Sequence, residues 1–325
     1  MNDSGHSSRT GSAVAPLRLA IIGFGKIARD QHWPAVDASE QIELVATVDR
    51  DGRGLGDVPF FPTVDTLASS GIPVDAVAIC TPPQVRYPVA RQALRQGWHV
   101  LLEKPPGTTL AEVDALYDQA RGAGKTLFAA WHSRFAAGVE HARNWLAGQQ
   151  IQRARVVWRE NVRVWHPGQT WIWQPGGFGV FDPGINALSI LTQILPDPIF
   201  VRESRLSVPE NQAAPIAANM TLEDSSANPV IVHLDFREEG PQQWDIVVET
   251  VAGVVTLSAG GADMSIDGVR LPIKGNGEHT EYDALYHRFV DLVRAGRSEV
   301  DVAPLRLVAD AFFKGRFETV EPFHE

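Results

Sequence analysis

The chain of 325 residues contains a single cysteine, Cys80. One cysteine excludes an intrachain disulfide and is compatible with a reducing compartment, so we expect a cytoplasmic protein. Cys80 ends an apolar run, which predicts a buried structural thiol. The sequence also lacks any apolar run near the roughly 18 residues that a membrane-spanning helix needs. We therefore expect no membrane association.

An excess of basic residues is missing as well. The formal net charge is -10, and no basic stripe is visible along the sequence. This charge argues against nucleic acid as a partner and leaves small neutral molecules as candidates. With 44% hydrophobic and 21% charged residues, the composition is typical of a soluble globular protein rather than of a disordered chain.

The length exceeds what one hydrophobic core usually serves, so we expect two domains. Residues 1–16 are rich in Ser, Gly and Ala and lack the apolar block of a secretory signal, and we interpret them as a disordered leader. Beyond them, strand-like apolar runs alternate with segments of helical periodicity. The runs are 17–22, 42–48, 76–80, 100–102 and 127–131, and the helical segments include 84–96 and 110–123. This alternation predicts a parallel, doubly wound α/β sheet.

After about residue 131 the pattern changes to runs in which apolar and polar residues alternate. Predicted strands are 154–162, 201–208, 216–222, 230–236, 244–250 and 254–258, and predicted helices are 136–146, 184–194, 282–294 and 305–317. The second half is therefore predicted to be an α/β domain with a large, mostly antiparallel sheet.

The most informative motif is G-x-G-x-x-A, in which Gly23, Gly25 and Ala28 follow the first predicted strand. We expect Gly23 to permit a sharp turn and Gly25 to let backbone N–H groups approach a pyrophosphate. Asp49 ends the second predicted strand, where a carboxylate accepts hydrogen bonds from ribose hydroxyls. The alternative is a glycine-rich turn in an ordinary βα unit, which the position of Asp49 disfavours.

Two proline-containing loops follow later strands of the same predicted sheet. They are T-P-P at 81–83 and E-K-P at 103–105, both at the carboxyl edge where open parallel sheets bind ligands. The prolines stiffen these loops and suit a surface on which a nicotinamide ring is placed. For Lys104 the alternative is a solvated loop lysine that pairs with Glu103.

Polar groups gather among aromatic residues between 158 and 186, which indicates a substrate site. His166 lies in a loop that contains Pro and Gly. Three roles are open for it: a turn histidine, a proton carrier, or a group that hydrogen-bonds a sugar. Asp182 lies at a predicted helix start, either as an N-cap or as a functional carboxylate, and Asn186 lies one turn further. The tryptophans of this region belong to the core or pack against the apolar face of a sugar.

The order G-x-G-x-x-A, T-P-P, E-K-P and D-x-G-x-N, the last at 182–186, resembles the Gfo/Idh/MocA family over nearly the whole chain. Longer strings at 25–32, 82–87, 131–134, 165–169 and 180–189 are similar to members that oxidise L-arabinose or D-galactose at C1. The resemblance implies a dinucleotide-binding Rossmann domain over 17–132 and a substrate-binding and oligomerisation domain over 133–325. It also implies NAD or NADP as cofactor, a monosaccharide substrate, and a homodimer or dimer of dimers.

The resemblance implies that Lys104 and Asp182 are catalytic and act as a pair. Many members have histidine where this chain has Asn186, and because Asn cannot take a proton, proton transfer falls to the pair. Expected substrate-binding residues are Glu160, Trp165, His166, Asn186 and Trp244. Expected cofactor-binding residues are Gly23, Gly25, Lys26, Ile27, Asp49, Arg50, Thr81, Pro82, Glu103, Lys104 and His132. No metal is expected.

Cofactor choice and reaction each leave an alternative open. Asp49 favours NAD by repelling a 2′-phosphate, whereas Arg50 could pair with that phosphate, so we expect NAD to be used and NADP to be accepted. Other possible functions are oxidation of another sugar or polyol, and a non-catalytic sugar or dinucleotide sensor. The string at 165–169 disfavours the first, and the presence of both Lys104 and Asp182 disfavours the second.

Overall fold

The computed structural model of the chain describes residues 15–52, 54–273 and 280–324. Residues 1–14, most of the predicted leader, lie outside the described residues. Two sheets dominate the described ranges, one of six strands and one of nine. The predicted α/β class is therefore confirmed. None of the helices in these ranges combines the length and apolar character that crossing a membrane would require.

The first sheet is parallel and doubly wound. Its strands are β1 (Leu17–Ile22), β2 (Ile42–Val48), β3 (Phe60–Phe61), β4 (Ala76–Ile79), β5 (His99–Glu103) and β6 (Leu127–Ala130). Its helices are α1 (Trp33–Asp37), α2 (Val64–Ala68), α3 (Pro83–Arg95) and α4 (Leu110–Gly122). The strand order is β3-β2-β1-β4-β5-β6, so the order reverses between β1 and β4, where such sheets form a ligand crevice.

The second sheet is mixed and mostly antiparallel. Its strands are β7 (Ile151–Arg159), β8 (Ile199–Pro209), β9 (Ala217–Asp224), β10 (Pro229–Asp235), β11 (Gln243–Thr250), β12 (Gly253–Ser258), β13 (Asp263–Ile266), β14 (Val269–Arg270) and β15 (Gly315–Val320). The order is β14-β13-β12-β11-β7-β10-β9-β8-β15, and the pairs β7–β10 and β8–β15 are parallel. The remaining helices are α5 (Ala137–Leu146), α6 (Val162–Trp165), α7 (Phe181–Ile194), α8 (Thr280–Arg294) and α9 (Ala303–Phe313).

Helix α7 lies in the centre of the second half, between the nine-stranded sheet and helices α5 and α9. Its apolar residues occupy nearly all sides of the helix, and Phe181, Ile185 and Leu188 are fully buried. A helix that is apolar nearly all round is stable only when it is enclosed in this way. The first turn of α7, which carries Asp182, is consequently held in a fixed position.

Helix α8 returns to the first sheet although it follows most of the second sheet in sequence. Its Tyr286 and Phe289 share an apolar core with Leu19 of β1 and Phe128 of β6. The Phe128 and Phe289 rings are stacked with centroids 6.2 Å apart. Burial of this aromatic face fixes α8 against the helix that follows β1.

Several predicted elements are displaced in the structure. Strand β7 begins at Ile151 and ends at Arg159, so residues 160–162 lie beyond it. The last helix ends at Phe313. Residues 315–320, of which 315–317 were predicted as helix, form β15 because they pair with β8. Helix α7 begins at Phe181 rather than at residue 184. Cys80 follows β4 and is half-buried, so the expectation of a buried thiol was wrong.

Candidate active site

Lys104 and Asp182 come from the two halves of the chain and form an ion pair. Lys104 is the first residue after β5, and Asp182 lies in the first turn of α7. The Lys104 ammonium donates to Asp182 Oδ1 at 3.2 Å and to the Asp182 carbonyl oxygen at 3.0 Å. The Lys104 side chain is only 13% exposed and that of Asp182 5%. The alternative of a solvated loop lysine paired with Glu103 is therefore excluded.

Asp182 is not the N-cap of α7. The residue before the helix is Val180, which makes no side-chain capping hydrogen bond. Asp182 follows within the first helical turn, where the positive end of the helix dipole favours a carboxylate. Gly184 lets this turn pack closely on β10, because a Cβ there would lie 2.5 Å from Leu234 Cδ1 and would displace that side chain.

The carboxylate of Asp182 also faces His166. The distance from His166 Nδ1 to Asp182 Oδ2 is 3.6 Å. His166 Nε2 lies 2.8 Å from Glu160 Oε1, and Trp244 Nε1 donates to Glu160 Oε2 at 2.9 Å. Lys104, Asp182, His166 and Glu160 therefore form one continuous line of ionisable groups.

The surroundings of His166 change its ionisation. Burial alone lowers the pKa of the imidazole, but the hydrogen bond to Glu160 and the negative charges of Asp182 and Glu160 raise it. The positive charge of Lys104 acts in the opposite direction. The net result is a His166 pKa above its ordinary value, so the ring keeps its proton to a higher pH than a free imidazole does.

Three tryptophans stand beside these groups. Trp165 meets Trp244 edge-on with ring centroids 4.8 Å apart, and Trp158 stacks on Trp244 at 5.9 Å. Trp165 is 40% exposed, whereas Trp158 is 4% exposed. The cluster thus combines a buried indole, that of Trp158, with an accessible one, that of Trp165. An apolar ring face can pack on the accessible indole.

Asn186 lies one helical turn after Asp182 and is half-buried. Its carbonyl oxygen accepts a hydrogen bond from the Ser189 hydroxyl at 2.7 Å. Among the described parts of the chain, nothing hydrogen-bonds its side-chain amide. The amide is therefore able to bind a ligand.

The turn after β1 is built for a close backbone approach. Gly23 has a φ of +86°, and a Cβ at this position would lie 2.8 Å from the Thr81 backbone nitrogen. A helical segment starts at residue 26 and continues through a π-helical turn, Ala28–His32, into α1. The first N–H groups of a helix lack intrahelical partners and suit an anion. The glycine-lined turn and this helix start fit the pyrophosphate of a dinucleotide.

Lys26 and Ile27 occupy the first positions of this helical segment. Lys26 is 60% exposed in its side chain and pairs with Asp30, one turn along. Ile27 packs against the core that β1 shares with α8. Their backbone groups, rather than their side chains, are thus the ones placed at the turn.

Asp49 and Arg50 follow β2 at the same edge of the sheet. Asp49 is 7% exposed, and its Oδ1 accepts a hydrogen bond from the Asp51 backbone at 2.9 Å. The Arg50 side chain is 92% exposed, with Nε 3.4 Å from Asp51 Oδ1. The structure therefore provides a fixed carboxylate and a freely extending guanidinium beside each other.

Arg86 of α3 is a site residue that the sequence motifs did not single out. It is 3% exposed and donates to the carbonyl oxygens of Thr81, Glu103 and Pro105, the contact with Glu103 being 2.5 Å. Burial lowers its pKa, and the charge of Glu103 opposes this. One buried guanidinium thus ties the T-P-P loop, whose Pro82 precedes α3, to the loop that carries Lys104.

Glu103 and His132, both expected to bind the cofactor, contact side chains of the protein as well. Glu103 is 2% exposed, and its carboxylate is engaged in the interior by His32 and Tyr282. His132 is 2.8 Å through Nδ1 from Glu281 Oε2 and stacks on Tyr282 at 5.2 Å. The structure therefore groups these two residues with His32 and α8, a cluster that no sequence motif indicated.

Residues 17–131 match the family model Gfo/Idh/MocA, an oxidoreductase family with an NAD-binding Rossmann fold. Over 315 residues the chain is 45% identical to galactose 1-dehydrogenase from Pseudomonas fluorescens, covering 96% of this chain and 100% of that protein. It is 32% identical over 165 residues to D-glucoside 3-dehydrogenase from Escherichia coli, covering 46% of each chain.

Solved structures agree with these sequence relationships. The crystal structure of D-galactose-1-dehydrogenase from Rhizobium etli has a TM-score of 0.91 and 49% identity, covering 97% of this chain and 100% of that one. A 3-ketoreductase from Actinomadura kijaniata, solved with NADP and TDP-benzene, shares the fold at a TM-score of 0.80 and 18% identity, covering 94% and 99%. The chain therefore belongs to the Gfo/Idh/MocA family of oxidoreductases and is an enzyme that binds NAD or NADP.

Proposed function

We propose that this enzyme oxidises D-galactose at C1, accepts L-arabinose as a second substrate, and releases the aldonolactone. The observation that carries the proposal is the buried Lys104–Asp182 pair, with 3.2 Å between Nζ and Oδ1. Similarity along the whole length of a galactose 1-dehydrogenase supports galactose as the sugar. L-Arabinose has the same configuration at C2, C3 and C4, so a site that binds those hydroxyls accepts both sugars.

Oxidation at C1 of a cyclic aldose removes a hydride from C1 and a proton from O1. When NAD or NADP is bound, its nicotinamide ring supplies the hydride acceptor. Asp182 accepts the O1 proton as general base, which contributes about 10² to 10⁴ in rate. The Lys104 ammonium holds the carboxylate and stabilises the negative charge that develops on O1. The C1–O1 bond then becomes the lactone carbonyl.

His166 receives the proton from Asp182 through Nδ1. The 3.6 Å separation from Oδ2 is longer than a hydrogen bond, and such contacts often tighten when substrate is bound. Glu160 accepts a hydrogen bond from Nε2 and stabilises the imidazolium that results. Asn186 cannot hold the proton, so its amide orients the sugar instead.

The tryptophan cluster provides the surface for the sugar ring. The apolar C–H face of the pyranose packs on Trp165, and Trp244 fixes Glu160 through its indole N–H. A carboxylate has about four lone-pair sites, and the bonds to His166 and Trp244 leave others on Glu160 for a sugar hydroxyl. Together these residues bind the hydroxyls that galactose and arabinose share.

The dinucleotide is held along the carboxyl edge of the first sheet. The backbone of Gly23, Gly25, Lys26 and Ile27 binds its pyrophosphate, and Asp49 binds the adenosine ribose. We assign five residues to the surroundings of the nicotinamide ring: Thr81, Pro82, Glu103, Lys104 and His132. Asp49 makes NAD the preferred form, while the exposed Arg50 allows NADP to be used more slowly.

The subunits associate as a homodimer or a dimer of dimers through the nine-stranded sheet. One face of this sheet packs on α5, α7 and α9, while the other exposes side chains such as Phe200, which is 40% exposed. Antiparallel sheets commonly bury only one face within a subunit. The single cysteine fits a reducing compartment, and we place the enzyme in the cytoplasm. Light scattering of the purified enzyme tests the oligomeric state.

The substrate test follows absorbance of reduced nicotinamide with D-galactose, L-arabinose, D-glucose, D-xylose and myo-inositol, each with NAD and NADP. Glucose and xylose are matched controls because each differs from a proposed substrate only at C4. We expect turnover mainly with galactose and arabinose. Accommodating or excluding the carbon of the C5 hydroxymethyl group changes kcat/KM between these two by about 10- to 200-fold, and a hydrogen bond to its hydroxyl would add to this. Cofactor binding without turnover of any sugar would contradict the proposal and favour a sensor.

A further inference from the structure

Four polar side chains form a buried cluster beside the catalytic lysine: His32, Glu103, Tyr282 and Tyr286. His32 is fully buried and Glu103 is 2% exposed. His32 Nε2 lies 3.2 Å from Glu103 Oε1, and its Nδ1 lies 2.7 Å from the Tyr286 hydroxyl. The Tyr282 hydroxyl donates to the same Glu103 oxygen at 2.6 Å. Both ring nitrogens of His32 therefore have hydrogen-bond partners within the protein.

The cluster connects three elements that surround the cofactor turn and the catalytic lysine. His32 ends the π-helical turn of the segment that begins directly after the Gly23–Gly25 turn. Glu103 is the last residue of β5, and Lys104 is the next residue. Tyr282 and Tyr286 belong to α8. His32 is thus linked through the Glu103 side chain to the backbone that continues into Lys104.

The position of His32 depends on an irregularity in its helix. The π-helical turn Ala28–His32 contains one more residue per turn than an α-helix, and such turns occur frequently at functional sites. His32 also packs edge-on against Tyr282, with ring centroids 4.9 Å apart. The ring is therefore held both by packing and by its hydrogen bonds.

Thermodynamic stability alone does not account for this arrangement. Burying an ion pair removes both charges from water, and apolar residues of similar size are often at least as stabilising. The His32–Glu103 pair nevertheless lies next to Lys104, a residue whose position must be fixed for the proposed reaction. A displacement of about 1 Å in a reacting group can reduce a rate by about 10²-fold.

We propose that His32 is a positioning residue, which acts through the Glu103 carboxylate to hold Lys104 against Asp182 in relation to the dinucleotide turn. This inference rests on the proposed role of Lys104 as a catalytic group. The cluster does not touch the sugar and takes no part in proton transfer. Its contribution is to keep the helix after the dinucleotide turn, the end of β5 and α8 in one fixed arrangement.

The test compares the wild type with His32→Gln and Glu103→Gln, which remove the ion pair while keeping side chains that can hydrogen-bond. Asp75→Asn is the matched control. It breaks the Arg18–Asp75 ion pair, 2.6 Å long, at the amino edge of the same sheet. We expect kcat to fall at least about 10-fold in both cluster variants, with KM for the sugar little changed, and to stay unchanged in Asp75→Asn.

A second readout reports on Lys104 without using turnover. The chain has five lysines, so reductive methylation with ¹³C-formaldehyde gives few NMR signals, and a Lys104→Arg sample assigns the relevant one. We expect the Lys104 methyl signal to shift in both cluster variants and not in the control. If the variants lose stability while this signal and kcat stay as in the wild type, the cluster is merely structural and the inference is wrong. A shifted signal with unchanged kcat would instead support the positioning and contradict the catalytic role of Lys104.

Discussion

Asp182 lies between two ionisable side chains, with Oδ1 3.2 Å from the Lys104 ammonium and Oδ2 3.6 Å from Nδ1 of His166. Each carboxylate oxygen thus faces a different partner. Because Glu160 holds the far side of the imidazole, a proton taken up by Asp182 has a path that leads away from the sugar. In the proposed reaction, His166 is therefore the group whose ionisation we expect to control the rate.

The pH dependence of kcat/KM tests that role. His166 must be neutral to receive a proton, and its pKa is raised above the ordinary value of 6.5, so activity is expected to rise with pH through a midpoint above 6.5. Glu160→Gln removes the hydrogen bond and charge that raise this pKa, and moves the rise to lower pH. His166→Asn abolishes it. His141→Asn, a substitution at an exposed position of α5, leaves the profile unchanged. An unaltered rise in His166→Asn would rule out the relay.

We expect cofactor preference to depend on Asp49, the carboxylate after β2. Asp49→Gly removes the group that binds the ribose hydroxyls and repels a 2′-phosphate, so the ratio of kcat/KM for NADP to that for NAD should rise at least about tenfold. Arg50→Ala serves as the complementary variant and should lower the rate with NADP more than the rate with NAD. An unchanged ratio in Asp49→Gly would mean that Asp49 does not face the ribose.

The turn at Gly23 allows a comparison of backbone strain with steric exclusion. Gly23 and Gly71 have similar φ values, +86° and +81°, but a Cβ at Gly23 meets Thr81 at 2.8 Å while a Cβ at Gly71 meets nothing within 4 Å. Gly71→Ala should cost about 1 kcal/mol of unfolding free energy. Gly23→Ala should cost about 1 to 3 kcal/mol more and weaken NAD binding. Urea unfolding and dinucleotide titration check both, and equal effects would contradict the close approach at Gly23.

The buried His32–Glu103 pair predicts a particular dependence of stability on pH. Burial opposes both charges, yet Cys80 and Glu103 raise the pKa of His32 from 6.5 to about 9, and His32 lowers that of Glu103 from 4.5 to about 2. The contribution of His32 is fully present below pH 6.5 and is lost as the pH rises through 9. That of Glu103 is present above pH 4.5 and is lost as the pH falls towards 2.

Measuring the unfolding free energy across these ranges checks the prediction. The charged and titratable groups around the pair are Cys80 after β4, Lys104 after β5, Arg86 of α3, His132, and Tyr282 and Tyr286 of α8. Glu103→Gln should make the decline between pH 6.5 and 9 shallower without removing it, because His32 keeps Cys80 as the other group that raises its pKa. A variant whose stability declines as steeply as that of the wild type would show that the pair is not ionised in the folded state.

The first sheet was predictable because its signals are local: a short glycine motif and continuous apolar runs. The G-x-G-x-x-A turn and the predicted runs 17–22 and 42–48 coincide with β1 and β2 because buried parallel strands are continuously apolar. The short strands β3, β13 and β14 were not predicted, since two to four residues carry too little periodicity. The predicted helix over 305–317 was wrong at its end because pairing with β8, which is distant in sequence, decides the conformation of residues 315–320.

The site was predictable only as far as motifs or a resemblance marked its residues. Lys104, Asp182 and His166 were singled out in this way, although only the fold shows the order in which they contact each other. Arg86 and His32 carry no sequence signal, because their importance comes from partners that are close in space. One indication was present in retrospect: both lie inside strings, 82–87 and 25–32, that the family resemblance already contained.

The most direct test of the proposed chemistry is the initial rate of reduced-nicotinamide formation from D-galactose with saturating NAD, compared among the wild type, Lys104→Ala and Asp182→Ala. Both variants should lose about 10² to 10⁴ in kcat. Their tryptophan fluorescence on titration with NAD should still report binding close to that of the wild type. Near-normal turnover in either variant would contradict the Lys104–Asp182 pair as the centre of the reaction.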